Sequence, residues 1–434
     1  MLIKGATLLD GARADIRLAA HIVEISTEIT PAPKEFVLDV AGGTVLPGLH
    51  DHHLHVRAAA TARVSVRVGP EDVDDRLTLG RRLSAATPDR DGWVRAVGYH
   101  EAVAGPLNRV VLDELCPQTP VRVQHRSGVL WFLNSAGLAR LGLTGHPDGA
   151  LASADARWSE ALRRAEPDLS AFSTLLCSYG ITGITDATPD LDDQGIAALQ
   201  EAQRRGELRQ RLRVLAPGKR ILHDDALDLD ELTEWIADRH TDAAPVALHC
   251  VTAAQLVVAL EALRAAGGNP LDRIEHAAVV PDDSLALLAA RTVTVVTQPN
   301  FVAERGDQYL TDVPAAELHE LWRVASLRRA GVGVALSTDA PFGRPDPWAA
   351  MRAAVQRRTP SGAIIGAAER VSPIDALTMF LGEPTRPAAA RTVTVGAPAD
   401  LCILSSTPQQ TLAELDAGMV AATVIAGEVV YRRD

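Results

Sequence analysis

Gly48-Leu49-His50-Asp51-His52-His53-Leu54-His55 packs four histidines and an aspartate into eight residues. It follows Thr44-Val45-Leu46-Pro47, a short apolar run that reads as a β-strand. Side chains at i and i+2 on a strand share a face. His53 and His55 can therefore grip one ion from one side, and His50 and His52 can do so from the opposite side. Spacing alone leaves both registers open. Imidazole is a common metal ligand near neutral pH, so the cluster is a candidate metal site at a strand end. The plain alternative is a polar loop with chance histidines.

Working outward, the chain alternates strand and helix from about residue 174 onward. Apolar runs at 180–186, 212–216, 219–222, 245–249, 272–276, 292–297 and 331–337 read as strands. Helical patterning covers 196–204, 229–239, 253–265, 283–290 and 314–329. With the strand before His53 this makes eight strands, short and rich in Val and Ile as buried parallel strands are. Repeated βα units in this number predict an α/β fold, a (β/α)8 TIM barrel. A doubly wound sheet is the alternative, but it gives no reason for polar residues at so many strand ends. The two ends of the chain are β-rich, which predicts a small β-sandwich domain built from residues 1–48 and 388–434 around a barrel of residues 49–387. Residues from about 60 to 170 break the alternation and read as an insertion after the first strand.

The composition narrows the function. Across 434 residues, 47% are hydrophobic and 23% charged, as in a globular protein with a large core. The formal net charge of −12 argues against nucleic acid or an anionic membrane as the main partner, since both need a basic surface. A small-molecule substrate is the expected partner, and assembly into a homo-oligomer is left open. Cys116, Cys177, Cys250 and Cys402 are far apart and form no CxxC pair, which favours a reducing, cytoplasmic setting. Cys250 stands beside His249 and is either a ligand, a nucleophile or a small buried hydrophobe. Met1-Leu2-Ile3-Lys4-Gly5 shows no charged segment followed by a long apolar run, so no secretory signal is expected. No stretch reaches the roughly 18 apolar residues that span a bilayer.

The predicted strands carry a metal-binding or acid–base residue at several ends: His53 and His55 on the first, Lys219 on the fourth, His249 on the fifth, His276 on the sixth and Asp339 after the eighth. In a barrel these ends converge on one face, where active sites lie. Neutral imidazoles and a carboxylate suit Zn²⁺ or a similar borderline ion. Taken singly, His249 and His276 read equally well as buried hydrogen-bonded histidines, Asp339 as a turn residue and Lys219 as a surface lysine.

Pro47-Gly48-Leu49-His50-Asp51-His52-His53-Leu54-His55 resembles the Pro-Gly-x-x-Asp-x-His-x-His opening of the amidohydrolase superfamily. Val246-Ala247-Leu248-His249, Arg273-Ile274-Glu275-His276-Ala277 and Ser337-Thr338-Asp339-Ala340-Pro341 are similar to its later ligand strands. Arg273-Ile274-Glu275-His276 and Asp346-Pro347-Trp348 resemble the branch that includes N-substituted formamide deformylases. The resemblance covers essentially the whole chain. It selects His53 and His55 over the other register, and it implies a barrel with a β-sandwich. It also implies His53 and His55 on one metal, His249 and His276 on a second, Asp339 as ligand and general base, and a carboxylated lysine bridging the two. Lys219 is the candidate for that lysine, with Asp51 expected to orient an imidazole.

Two departures stand out. His223 occupies the position four after Lys219 where the family pattern has an acidic residue. Val129 stands where the branch has a histidine, which leaves His125 or Arg126 to face the substrate. Trp131 in the insertion and Asn300 and Arg305 after the seventh strand are further substrate-binding candidates, with Phe342 and Arg344 near them. The expected activity is hydrolysis of a C–N bond in an amide, formamide or cyclic amide, with one or two divalent ions. A single-metal deaminase of an amino-heterocycle is the alternative, and a non-catalytic barrel protein is a third.

Overall fold

The apolar run before the histidines is not their strand. In the computed structural model, which describes residues 1–153, 158 and 167–433, Thr44–Pro47 pairs with Leu2–Leu8 and Leu401–Leu404. Leu49–Leu54 opens a separate set of parallel strands. These are β1 (Leu49–Leu54), β2 (Ile181–Asp186), β3 (Arg211–Val214), β4 (Lys219–Ile221), β5 (Ala247–Cys250), β6 (Arg273–His276), β7 (Thr294–Thr297) and β8 (Gly333–Leu336). Hydrogen-bond ladders join β3, β2 and β1 into one sheet and β4 through β8, in order, into another. Every residue of β1 is buried, although only Leu49 and Leu54 are apolar.

Helices separate most of these strands. Asp193–Arg204 follows β2, Leu229–Thr241 follows β4, Ala253–Ala266 follows β5 and Asp282–Ala289 follows β6. Ala253–Ala266 shows the local logic. Thr252 and Gln255 form a reciprocal capping box, and Leu256, Ala259, Leu260 and Leu263 recur at helical spacing and are buried. Gly267, at φ +80°, ends the helix in a conformation that suits a residue without Cβ. Between β7 and β8 the structure departs from expectation. The stretch after the seventh strand that carries Asn300 and Arg305 is itself a helix, Asn300–Asp312. The helix expected at 314–329 is confined to Val324–Arg329, after a 3₁₀ turn at Leu318–Glu320. Pro314 disfavours helical backbone at Val313 and so separates the two segments.

Both chain ends enter one eight-stranded mixed sheet. Its order is Glu428–Arg432, Val420–Ile425, Leu401–Leu404, Thr44–Pro47, Leu2–Leu8, Arg13–Leu18 and Ile22–Ser26, with Val37–Asp39 also paired to Leu2–Leu8. Ile3, Ile16, Ile22, Val45, Leu401, Ile403 and Val424 form its core.

By compactness the chain divides into Met1–Val56 with Leu169–Asp434, and Arg57–Asp168. The second unit holds its own five-stranded sheet, ordered Ala150–Ala152, Leu130–Leu133, Val121–His125, Val94–Tyr99 and Val66–Arg67. Leu79 and Leu83 of the helix Arg76–Ala85 and Leu112 of Arg109–Leu115 pack with Val94, Val121 and Phe132 in its core. No helix among the described residues is long and apolar enough to cross a membrane. All four cysteines are free and buried. Burial pushes the Cys250 thiol up, which keeps it a neutral small hydrophobe rather than a thiolate nucleophile.

Candidate metal centre

A β-bulge decides what the histidine cluster does. Opposite Ile184 and Asp186 on β2, separated by two positions, stand Asp51 and Leu54 on β1, separated by three. One extra residue in a strand shifts the alternation of side chains by one. The irregularity therefore breaks strict alternation just before His53 and His55.

Of the two pairs, only His53 and His55 meet a carboxylate. His53 Nε2 lies 3.6 Å and His55 Nε2 3.4 Å from Asp339 Oδ1. These three ligand atoms fall within 4.8 Å of one another. Lys219 Nζ is 3.2 Å from His53 Nε2. The His276 ring centroid lies 4.7 Å from that of His53 and 4.4 Å from that of His249, so the structure gathers all six residues named as ligands. Asp339 (φ 55°), His276 (φ 71°) and Ala277 (φ 46°) adopt left-handed backbone at the ends of β8 and β6. Such conformations cost of order 1–3 kcal/mol and cluster at functional sites.

The donor set fits a divalent cation. Asp339 Oδ1 is buried without a hydrogen-bond partner, which is costly for a carboxylate unless a cation compensates. His53 uses Nδ1 against Glu275 Oε2 at 2.5 Å, and His276 uses Nδ1 against Gln298 Oε1 at 2.8 Å. Both rings keep Nε2 for a ligand. Burial, followed by neighbouring cations, holds the imidazoles of His53 and His276 well below their usual range and that of His249 at about 3. They are neutral, as ligation requires. Burial also lowers the Lys219 ammonium to about 8, against the pull of Glu275 and Asp339.

Sequence reasoning missed Glu275, Arg273, Gln298 and Thr338. Asp51 does not orient an imidazole. Its carboxylate accepts from the Thr338 hydroxyl at 2.5 Å, the Thr338 N–H at 3.1 Å and the His53 main-chain N–H at 3.3 Å. Burial pushes it up to about 7. Glu275 has the role expected of Asp51, and the signal for it was present: two opposite charges at i and i+2 on one face of a buried strand. His50 bonds Thr185 Oγ1 at 2.9 Å, against Gly183, where a Cβ would overlap its ring.

The other predicted residues have different surroundings. Asn300 Nδ2 donates to Glu304 and to the Thr338 carbonyl, both at 3.2 Å. Arg305 donates to the Phe342 carbonyl at 2.5 Å and lies over the Phe301 ring. Both pin the segment that carries Asp339, and Phe342 meets His55 edge-on at 5.3 Å. His223 is exposed and close enough to His249 to act on it electrostatically. In the second unit, Trp131 is 8% exposed and packs against Trp158 with the Arg95 guanidinium over its ring. His125 Nε2 lies 3.1 Å from Glu101 Oε2, and its Nδ1 accepts the Ser127 N–H at 3.2 Å. His100, Glu101 and His125 form a second group of neighbouring ligand atoms.

Comparison with known proteins places the chain in a family. The amidohydrolase family model matches residues 37–431. The N-substituted formamide deformylase of Arthrobacter pascens is 26% identical over 524 residues, covering 99% of this chain and 95% of that protein. An uncharacterised metal-dependent hydrolase from Pyrococcus horikoshii superposes with a TM-score of 0.74 at 17% identity, covering 96% of this chain and 99% of its own. One from Pyrococcus furiosus gives 0.71 at 19% identity, covering 94% and 99%. The chain belongs to the amidohydrolase family and is a hydrolase acting on carbon–nitrogen bonds.

Proposed function

We propose that this protein hydrolyses the C–N bond of an amide, formamide or cyclic amide with Asp339 as general base and acid. His53, His55 and Asp339 would hold one divalent ion and His249 and His276 a second, with carboxylated Lys219 between them. Zn²⁺ is the ion that this imidazole-rich set suits. When bound, such an ion polarises the scissile carbonyl and lowers the pKa of water from about 15.7 to near 7. Asp339 takes the proton of the attacking water and passes it to the departing nitrogen. Burial favours the neutral amine of Lys219, the form that can react with carbon dioxide. Gln298 and the segment Pro341-Phe342-Gly343-Arg344 keep His276 and Asp339 in place.

The finer architecture belongs to the same reading. The two parallel sheets close into a (β/α)8 barrel over residues 49–387, with 1–48 and 388–434 as a β-sandwich and the insertion as a separate unit. Main-chain bonds from Asp339 N–H to the His53 carbonyl (2.9 Å) and from His55 N–H to the Ala340 carbonyl (2.8 Å) support closure between β8 and β1. The free cysteines fit a cytoplasmic setting.

The observation that carries the reading is the buried, unpartnered Asp339 Oδ1 facing two Nε2 atoms. Asp339→Asn should keep metal through the histidines and lose about 10²–10⁴-fold in kcat on a formamide or cyclic amide. Full activity in that variant would sink the assignment. A single-metal deaminase is the second reading, favoured by one fact: in this unit, among the described residues, the close ligand group comprises His53, His55 and Asp339 alone. Two ions per chain by elemental analysis supports the first reading, and one ion with unmodified Lys219 the second.

A further inference from the structure

We propose that Glu275, held by Arg273, is a positioning residue that makes Nε2 the metal-facing nitrogen of His53, and that Arg273 also braces the bulge carrying His53 into the centre. The inference rests on His53 being a metal ligand. Three side chains form the brace, and their exposure is 0% for His53, 0% for Glu275 and 1% for Arg273.

A neutral imidazole carries one proton on one of two nitrogens, and the hydrogen bond made by one nitrogen sets the role of the other. His53 Nδ1 lies 2.5 Å from Glu275 Oε2. An ionised carboxylate can only accept, so Nδ1 keeps the proton and Nε2 presents its lone pair. Nε2 is also the nitrogen nearest Asp339 Oδ1 and Lys219. Glu275 is fixed in turn. Arg273 Nε donates to Oε1 at 2.6 Å and Nη2 to Oε2 at 3.0 Å, the paired geometry in which guanidinium binds carboxylate best. The same Nη2 donates to the His52 carbonyl at 2.8 Å.

His52 lies within the bulged stretch between Asp51 and Leu54. One guanidinium thus grips both the backbone that places His53 and the carboxylate that selects its tautomer. The link runs from β6 in one sheet to β1 in the other, so neither strand could set this geometry alone.

Glu275→Gln gives a sharp test. Arg273 continues to demand an acceptor, which turns the amide oxygen toward the guanidinium and the NH₂ toward Nδ1. The NH₂ donates, so the proton of His53 moves to Nε2. In full-length, metal-free protein labelled with ¹⁵N-histidine, long-range ¹H–¹⁵N correlation should show the Nδ1–H form of His53 in the native protein and the Nε2–H form in the variant. A competition titration with Zn²⁺ should show affinity about 10–100-fold weaker, as for loss of an outer partner of a ligand. An unchanged tautomer overturns the proposal. A changed tautomer with unchanged Zn²⁺ affinity leaves Glu275 as the selector and overturns His53 as a ligand. Should Glu275→Gln not fold, Arg273→Lys keeps the buried charge but not the paired geometry. It should weaken Zn²⁺ several-fold with Nδ1–H retained, and unchanged affinity would remove the brace.

Discussion

Two groups in this protein each join two histidines and one carboxylate with ligand atoms within 4.8 Å: His53, His55 and Asp339 in one unit, and His100, Glu101 and His125 in the other. Only the first is built to take a cation. In the second group the Nδ1 atoms accept main-chain N–H groups, from Ala102 to His100 and from Ser127 to His125, both at 3.2 Å. A neutral ring that accepts at Nδ1 carries its proton on Nε2, and His125 directs that nitrogen at Glu101. In the first group His53 Nδ1 is the donor and Nε2 faces Lys219 and Asp339. Burial separates the two as well. Asp339 is 5% exposed with Oδ1 unpartnered, whereas the Glu101 side chain is 46% exposed and paired. Proximity of donors does not make a metal site. The nitrogen already committed to the protein's own hydrogen bonds decides it.

The largest effect that could break this contrast is on metal content. His55→Ala should weaken Zn²⁺ binding and lower turnover by more than about 100-fold, beyond the 10–100-fold expected for loss of an outer partner. His100→Ala should leave the ion count per chain unchanged by elemental analysis. Loss of an ion in the second variant would mean that tautomer and exposure do not discriminate between the groups.

A smaller effect concerns what surrounds the buried group. Asp51 accepts the Thr338 hydroxyl and N–H, which ties β1 to the segment bearing Asp339. Thr338→Val removes one donor from a fully buried carboxyl and should cost about 1–3 kcal/mol, the usual penalty for an unsatisfied buried group. Urea denaturation would measure it. A loss below about 0.5 kcal/mol would place Asp51 outside the support of the centre.

The alternation of strands with helices was legible because most of the parallel strands carry buried apolar residues, and His249, His276 and Asp339 stood out because they lie in, end or follow such strands, whereas Lys219 opens β4. β1 itself was not. His-Asp-His-His has no strand-like composition; it is extended by its ladder with β2, and Thr185, Thr338, Glu275 and Arg273 offer partners to its side chains and backbone. The bulge was invisible for the same reason: it is set by pairing with β2, not by any residue of β1. Asn300 and Arg305 read as substrate contacts because polar residues just after a barrel strand face the site end of the fold. They lie instead on a helix and hold main-chain carbonyls.

The smallest effect is a pH dependence confined to the second group. Burial opposes ionisation of Glu101, but hydrogen bonding and electrostatic attraction from His125 and His100 hold its carboxyl below the usual range. A folded-state pKa below the unfolded value gives stability that is present above the unfolded pKa, about 4.3 for glutamate, and is lost as pH falls through the folded value. Glu101→Gln keeps the acceptor for His125 but not the charge. The native protein should therefore be slightly more stable than the variant at pH 7, and the gap should close below about pH 4 and shrink in 0.5 M salt, as for any half-exposed pair. Thermal unfolding of both proteins would show it. Zn²⁺ stabilises both through the buried centre, so the gap between them should be the same with added Zn²⁺ as with chelator. A gap that widens with Zn²⁺ would make Glu101 a ligand and erase the distinction between the two groups.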